Sequence, residues 1–239
     1  MHIIKNLLRR YFLDIMGEMK SISKGIHILN GHFISLENKD SEIFYDLLLN
    51  LNKEAEFINF KDACRLIYEN VKADQKLIAF SFDDGFEECY YNIYPVLKQF
   101  KVNAAFFINP SFIDGDKRFQ REFVSKRLLL SIHKRPMTWG MIKKLHREGF
   151  IIGSHTVDHK RLSDITSKTE LEYQIVESKR IIEKKILNKC EYFAWPYGGL
   201  DDINNSSLQI ATDNYKFVFS ASNYKRYLSF NKTVINRRH

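Results

Sequence analysis

Leu77-Ile-Ala-Phe-Ser-Phe-Asp-Asp-Gly85 is the stretch from which the rest of the chain is read. It starts as a strand: Leu77, Ile78, Ala79, Phe80 and Phe82 form a nearly continuous apolar run, the pattern of a strand buried on both faces. It ends in two adjacent carboxylates and a glycine. Parallel α/β folds place their chemistry at the C-terminal ends of strands, which is where Asp83 and Asp84 fall. Neighbouring carboxylates there can divide two roles at one centre, one on a metal and one free to take a proton. Taken alone, the segment also reads as an Asp-Gly turn closing a hairpin.

A second stretch weighs against the hairpin. Gly149-Phe-Ile-Ile-Gly-Ser-His-Thr-Val-Asp-His159 is again a short apolar strand, and it too ends in potential ligands, His155 and His159. Four residues apart, the two imidazoles share a face if the chain turns helically after the strand. Neutral imidazole is a preferred zinc ligand. Two histidines and one carboxylate leave positions open for water and substrate, as at a catalytic metal. An isolated His pair is ordinarily surface decoration, but two strand ends with complementary ligand sets are not.

Ser81-Phe-Asp-Asp-Gly85, Ser154-His-Thr-Val-Asp-His159 and Trp195-Pro-Tyr-Gly198 resemble, in order and spacing, the motifs of the polysaccharide deacetylases, the NodB-like enzymes of carbohydrate esterase family 4. Thr138 to Gly149 is similar to the helix that precedes the family's His motif. The resemblance covers roughly residues 25 to 220. It implies Asp84, His155 and His159 as ligands of one divalent ion, with zinc the expectation, and Asp83 as the general base acting on a metal-bound water. It implies that the backbone N–H of Tyr197 faces the acetyl oxygen, with Pro196 fixing the chain there. Trp195 and Trp139 are candidates for the pocket wall, since aromatic faces pack on sugar rings; the alternative for both is ordinary core. Two departures stand out. The family usually carries an Arg two residues before the motif's Pro, where this chain has Ala194, and without a guanidinium the Asp83 carboxyl is expected to be less depressed. The usual C-terminal Leu-x-His is also absent.

The 239 residues, 44% of them hydrophobic, suffice for one large α/β domain. Strand and helix patterns alternate from residue 25 to residue 219, which implies a parallel sheet. Reactive residues at several strand ends favour closure, and the resemblance implies a distorted (β/α)7 barrel forming a single domain. The expected division is an N-terminal amphipathic helix and lead-in over 1–24, then the barrel over 25–239. The spacing predicts helices over 41–52, 61–70, 90–100, 138–148, 167–187 and 202–212. It predicts strands over 25–30, 57–60, 77–82, 104–108, 150–152, 192–194 and 217–219. Residues 111–136 read as a partly helical insertion over the site, and the tail from Tyr224 as basic and ambiguous.

Cys64, Cys89 and Cys190 are widely spaced, with no CxxC pair, so neither a disulfide framework nor a zinc ribbon is expected. No apolar run approaches the ~20 residues that span a bilayer. Arg9, Arg10 and Asp14 interrupt any signal-peptide core, so a cytoplasmic location is expected. The +8 formal charge is spread along the chain, without the aromatic-basic clusters of a nucleic-acid module. In residues 2–19, Ile3, Ile4, Leu7, Leu8, Tyr11, Phe12, Ile15 and Met19 share one helical face. Docking on the barrel is the expectation for it, with peripheral membrane contact as the alternative.

These readings converge on a metal-dependent carbohydrate de-N-acetylase, acting on an N-acetylated glycan or on a lipid- or nucleotide-linked sugar precursor. The rival readings are a catalytically inactive glycan-binding domain and a hydrolase of a non-sugar amide. The reaction also needs a proton donor for the departing amine. Of the histidines outside the metal set, His32 alone lies just past the C-terminal end of a strand. Its setting, Ile-Leu-Asn-Gly-His, is similar to a segment of the poly-N-acetylglucosamine deacetylases in which an early His serves as the acid.

Overall fold

The computed structural model describes residues 22–34, 41–131, 134–222 and 226–238. The helix expected over residues 2–19 lies outside them. One sheet organises the chain. Its strands are β1 (Gly25–Gly31), β2 (Glu56–Phe57), β3 (Lys76–Phe82), β4 (Ala104–Ile108), β5 (Ile151–Ser154), β6 (Tyr192–Ala194), β7 (Phe217–Ser220), β8 (Leu228–Ser229) and β9 (Val234–Asn236). They are ordered β1-β3-β4-β5-β6-β7-β9-β8, with β2 beside the start of β3. Every pairing from β1 through to β9 is parallel, and only β8 runs antiparallel. Just beyond β9, Arg238 bridges Leu29 of β1 in parallel. The Asn30 N–H donates to the Arg238 carbonyl at 2.6 Å and the Arg238 N–H to the Ile28 carbonyl at 2.8 Å. These two bonds bring the sheet's ends together, so β1, β3, β4, β5, β6, β7 and β9 make a distorted seven-stranded barrel.

The two-residue period of a strand divides the core in two. Ile26, Ile28, Leu77, Ala79, Ala105, Phe107, Tyr192, Phe217, Phe219 and Ile235 pack together inside the barrel. The helix Phe60–Tyr68 closes its floor, sending Phe60 against the rings of Phe107, Tyr192 and Phe219. The alternate residues Ile78, Phe80, Phe82, Phe106, Ile108, Ile152, Phe193 and Val218 face outward, beneath the surrounding helices. The inward parity carries straight on to the site. Two residues after Ser81 comes Asp83, after Phe107 comes Asn109, after Gly153 comes His155, and after Ile235 comes Arg237.

The insertion is helical over Pro110–Asp114 and Lys117–Glu122, followed by a π turn at Phe123–Arg127. It returns along the Asp motif: Glu87 N–H donates to the Arg135 carbonyl at 2.9 Å and Met137 N–H to the Gly85 carbonyl at 2.8 Å. Thr138 caps Trp139–Arg147 as expected, accepting from Met141 N–H at 3.3 Å. Several boundaries differ from the expectation. Phe60 opens a helix instead of ending a strand, because Asn103 Oδ1 accepts its N–H and turns the chain. The 202–212 helix is Asn205–Asn214, capped by Asn204, with a separate turn at Leu200–Asp202. The tail holds two more strands, β8 and β9. Among the described residues, no helix is long and apolar enough to cross a membrane.

Gly153 is where β5 passes closest to its neighbours. A Cβ there would lie 2.5 Å from the Phe107 ring and 3.1 Å from the Tyr192 carbonyl. Gly153→Ala is expected to cost about 1–3 kcal/mol by overpacking, read from urea unfolding. A variant as stable as the parent would contradict this packing.

Candidate active site

At the C-terminal rim of the barrel, Asp83 is buried against Arg237. The guanidinium is bidentate: Nη1 donates to Oδ1 at 2.7 Å and Nη2 to Oδ2 at 2.9 Å. Asn30 Nδ2 donates a third bond to Oδ2 at 2.9 Å. Asn30 Oδ1 accepts from Arg237 Nη1 at 2.7 Å and from the Ser81 hydroxyl at 3.0 Å, which closes the network. Phe107 offers its ring face to the guanidinium, 4.8 Å from centroid to Cζ. Burial alone would raise the Asp83 carboxyl, but the Arg237 charge, aided by His155 and by hydrogen bonds, more than offsets it and holds the carboxyl well below the usual range. The expectation drawn from Ala194 is thereby corrected. The guanidinium missing from the Trp-Pro-Tyr strand arrives from the end of the last strand, on the inward parity that follows Ile235.

Asp84, one residue on, has the opposite environment. Its φ of 69° is left-handed, which turns its side chain away from the Asp83 network. Burial, then the neighbouring Asp83 charge, raises its carboxyl well above the ordinary value. Its Oδ1 is buried without a hydrogen-bond partner. It lies 3.6 Å from His155 Nε2 and 3.4 Å from His159 Nε2. Burial lowers the basicity of both imidazoles, and for His159 the neighbouring His155 and His32 add to it, so the pair is held neutral. His155 Nδ1 sits 2.7 Å from the Ala194 carbonyl, which takes its N–H and leaves Nε2 as the lone-pair nitrogen.

This set fits a divalent ion. Ligands at ~2.0–2.2 Å around a tetrahedral ion lie ~3.3–3.6 Å from one another, and the two Oδ1–Nε2 separations have that length. An unpartnered buried carboxylate oxygen facing two neutral imidazole nitrogens has no other evident stabiliser. Asp84, His155 and His159 form the candidate metal cluster among the described residues.

The other expected site residues are placed as follows. His32, half-buried, is near enough for its charge to bear on both Asp83 and His159. Tyr197, 41% exposed, sets its ring 5.0 Å from that of His159 and donates its hydroxyl to the Arg127 carbonyl at 3.2 Å. Arg161 covers the other part of the ring, 4.2 Å from its centroid. Trp195 is not a pocket wall: it is fully buried, its indole N–H donates to the Gly199 carbonyl, and its ring meets Phe230. Trp139 donates its indole N–H to Asp114 at 2.7 Å and lies under Lys185, contacts that join it to flanking helices and not to the Asp84 group. Sequence reasoning missed Asn30, Ser81 and Arg237. Strand parity was the available signal for Asn30 and Ser81; for Arg237 the sequence offered none.

The ion pair sets a stability prediction. Because the folded Asp83 carboxyl is depressed, its contribution is present above the unfolded value of ~3.9 and is lost as pH falls toward the folded one. Arg237→Met is expected to lower unfolding free energy by about 3–5 kcal/mol at neutral pH, with the deficit shrinking below pH ~4. Urea unfolding at a series of pH values measures it. A small deficit unchanged with pH would contradict the pairing.

The chain is similar to several known proteins. The polysaccharide deacetylase family model matches residues 70–215. A peptidoglycan-N-acetylglucosamine deacetylase of Bacillus cereus is 28% identical over 133 residues, 55% of this chain and 51% of its own. A poly-beta-1,6-N-acetyl-D-glucosamine N-deacetylase of Staphylococcus aureus is 24% identical over 150 residues, 62% of this chain and 49% of its own. The chain thus spans about half the length of the curated relatives it matches. Among solved structures, IcaB from Ammonifex degensii superposes with a TM-score of 0.72 at 20% identity, covering 90% of this chain and 91% of its own. The Streptococcus pyogenes deacetylase PplD does so with 0.66 at 20% identity, covering 92% of each. Both share the fold. With the family model spanning the Asp, His and Trp-Pro-Tyr motifs together, the chain belongs to the polysaccharide deacetylase family.

Proposed function

We propose that this chain is a metal-dependent hydrolase that removes acetyl groups from an N-acetylated sugar, in a glycan containing N-acetylglucosamine. The observation that carries the reading is the contrast between two adjacent aspartates. Asp83 is held as a carboxylate by Arg237, and Asp84 faces two neutral imidazoles with an oxygen unpartnered. Adjacent carboxyl groups, one ion-paired with a guanidinium and one turned toward two imidazole nitrogens, suit two different roles at one centre. The names of the Bacillus cereus and Staphylococcus aureus relatives support N-acetylglucosamine as the sugar.

Asp84, His155 and His159 would hold the divalent ion, with zinc suited to two nitrogens and one oxygen. When bound, such an ion lowers the pKa of water and polarises an amide carbonyl. Asp83 is the general base, taking a proton from the attacking water at its carboxylate. Arg237 and Asn30 fix the direction of its oxygens and keep them unprotonated. The backbone N–H of Tyr197 serves the acetyl oxygen as negative charge develops there. His32 gives a proton to the departing nitrogen. The water oxygen bonds to the acetyl carbon, the C–N bond breaks, and acetate and a free amino sugar leave. The Arg absent at Ala194 is the departure that gives weight to an inactive glycan-binding domain, and Arg237 brings a guanidinium to Asp83 from another strand.

Acetate release from β-1,6-linked N-acetylglucosamine oligomers and peptidoglycan fragments tests the proposal. Release that stops with chelator and returns with zinc is expected. Asp83→Asn should lower turnover by about 10²–10⁴-fold while zinc stays bound, and His32→Ala should remove the basic limb of the pH–rate profile. Parent-like turnover in Asp83→Asn would take that residue out of the mechanism. Glycan binding without acetate release in parent and variants would support the binding-domain reading instead.

A further inference from the structure

The loop that carries both histidines is held in a strained form. Thr156 has φ 68° and His159 φ 58°, the left-handed region that residues other than glycine seldom occupy. Such conformations persist when the surroundings over-determine them. On one side the loop is gripped from the end of β4. The buried Asn109 amide donates to the His155 carbonyl and, at 3.1 Å, to the Thr156 carbonyl. The Ser111 hydroxyl donates to the Val157 carbonyl at 2.7 Å.

The other grip comes from a helix that departs from regular geometry. Between Lys168–Glu172 and Ser178–Ile186 the chain makes a single π turn, Tyr173–Glu177. A π turn interrupts the i→i−4 hydrogen-bond ladder. At this interruption the Gln174 carbonyl accepts the Val157 N–H at 3.1 Å. The Gln174 side chain is fully buried, and its Oε1 accepts the next N–H, that of Asp158, at 3.2 Å. Its Nε2 donates to Glu170 Oε1 at 3.0 Å, and the same oxygen takes Lys160 Nζ at 2.7 Å. One glutamine therefore holds two successive peptides just before His159, and its partner Glu170 holds the residue just after it.

We propose that Gln174 is a positioning residue for the metal-ligating histidines. It fixes the Val157–Asp158 backbone so that His159 Nε2 meets Asp84 Oδ1 and His155 Nε2 does likewise from the strand. The buried face carries Leu171, Ile175 and Ile182 beside Gln174 and Ser178; both ends of the Gln174 amide are spent on the loop and on Glu170. The inference rests on the proposed metal site, and it concerns how that site is held, not what it hydrolyses.

Zinc affinity, measured by competition with a chromophoric chelator, separates the two. The unfolding midpoint of each metal-free protein is measured beside it. Gln174→Met keeps the volume and removes the acceptor, and it is expected to bind zinc about 10–100-fold more weakly than the parent. The exchanged pair Gln174→Glu with Glu170→Gln keeps an acceptor oxygen for the Asp158 N–H and a donor–acceptor contact between the two side chains, and should return most of the loss. Parent-like zinc affinity in Gln174→Met, with only a lowered midpoint, would make Gln174 a plain packing residue and overturn the inference. Should Gln174→Met not fold, the exchanged pair decides: near-parent affinity is expected, and a tenfold loss despite the retained acceptor would overturn it. A parent that binds no zinc would instead overturn the metal reading on which the inference stands.

Discussion

A carboxylate and a guanidinium, both inside a barrel and both out of contact with water, are the constraint on which the rest of this structure depends. Neither could be buried alone without a desolvation cost of several kcal/mol. Their bidentate contact requires β3 and β9 to end at the same height on the barrel axis, although they are separated by most of the chain. The parallel bridge between Leu29 and Arg238 supplies that alignment by closing β9 onto β1. Asn30, at the end of β1, then completes the coordination of Asp83. Barrel closure and the pairing of Asp83 are in this sense one event.

The second constraint is backbone strain at the site. Asp84, Thr156, His159 and Tyr197 all have positive φ, and all lie at or next to the proposed chemistry. Each such residue costs on the order of 1–3 kcal/mol, so the scaffold must hold them firmly. The inward parity of parallel strands places Asp83, Asn109, His155 and Arg237 on rigid supports. The strained residues occupy the short turns that leave those supports. Asp84 illustrates the consequence: its left-handed turn separates it from the Asp83 network within a single peptide, so that Asp83 meets Arg237 while Asp84 faces the two imidazoles.

Much of this was legible in the chain itself. Apolar runs ending in Asp83-Asp84 and in His155 are local signals, and the alternation of strand and helix leads to a parallel barrel. Arg237 was not legible, because Val234-Ile-Asn236 is too short to show alternation, and an arginine in a basic tail reads as solvated surface. Only the closed topology reveals that it follows Ile235 inward. Trp195 misled for a related reason: a motif position beside a site need not face it, and here the indole N–H is spent on the Gly199 carbonyl. The long helix through Gln174 was expected to be regular. The apolar positions Leu171, Ile175, Ile182 and Ile186 are compatible with that, and nothing in their spacing reports a single widened turn. The polar pair Gln174 and Ser178 on the buried face was the remaining trace.

The most direct test of the account is a crystal structure of the zinc-soaked protein with anomalous data collected at the zinc edge. The account predicts one peak bounded by Asp84 Oδ1 and the Nε2 atoms of His155 and His159, at ~2.0–2.2 Å from each, with the Arg237 guanidinium still bidentate on Asp83. Side chains standing apart with no peak between them, or a zinc-bound site in which Arg237 points away from Asp83, would contradict it.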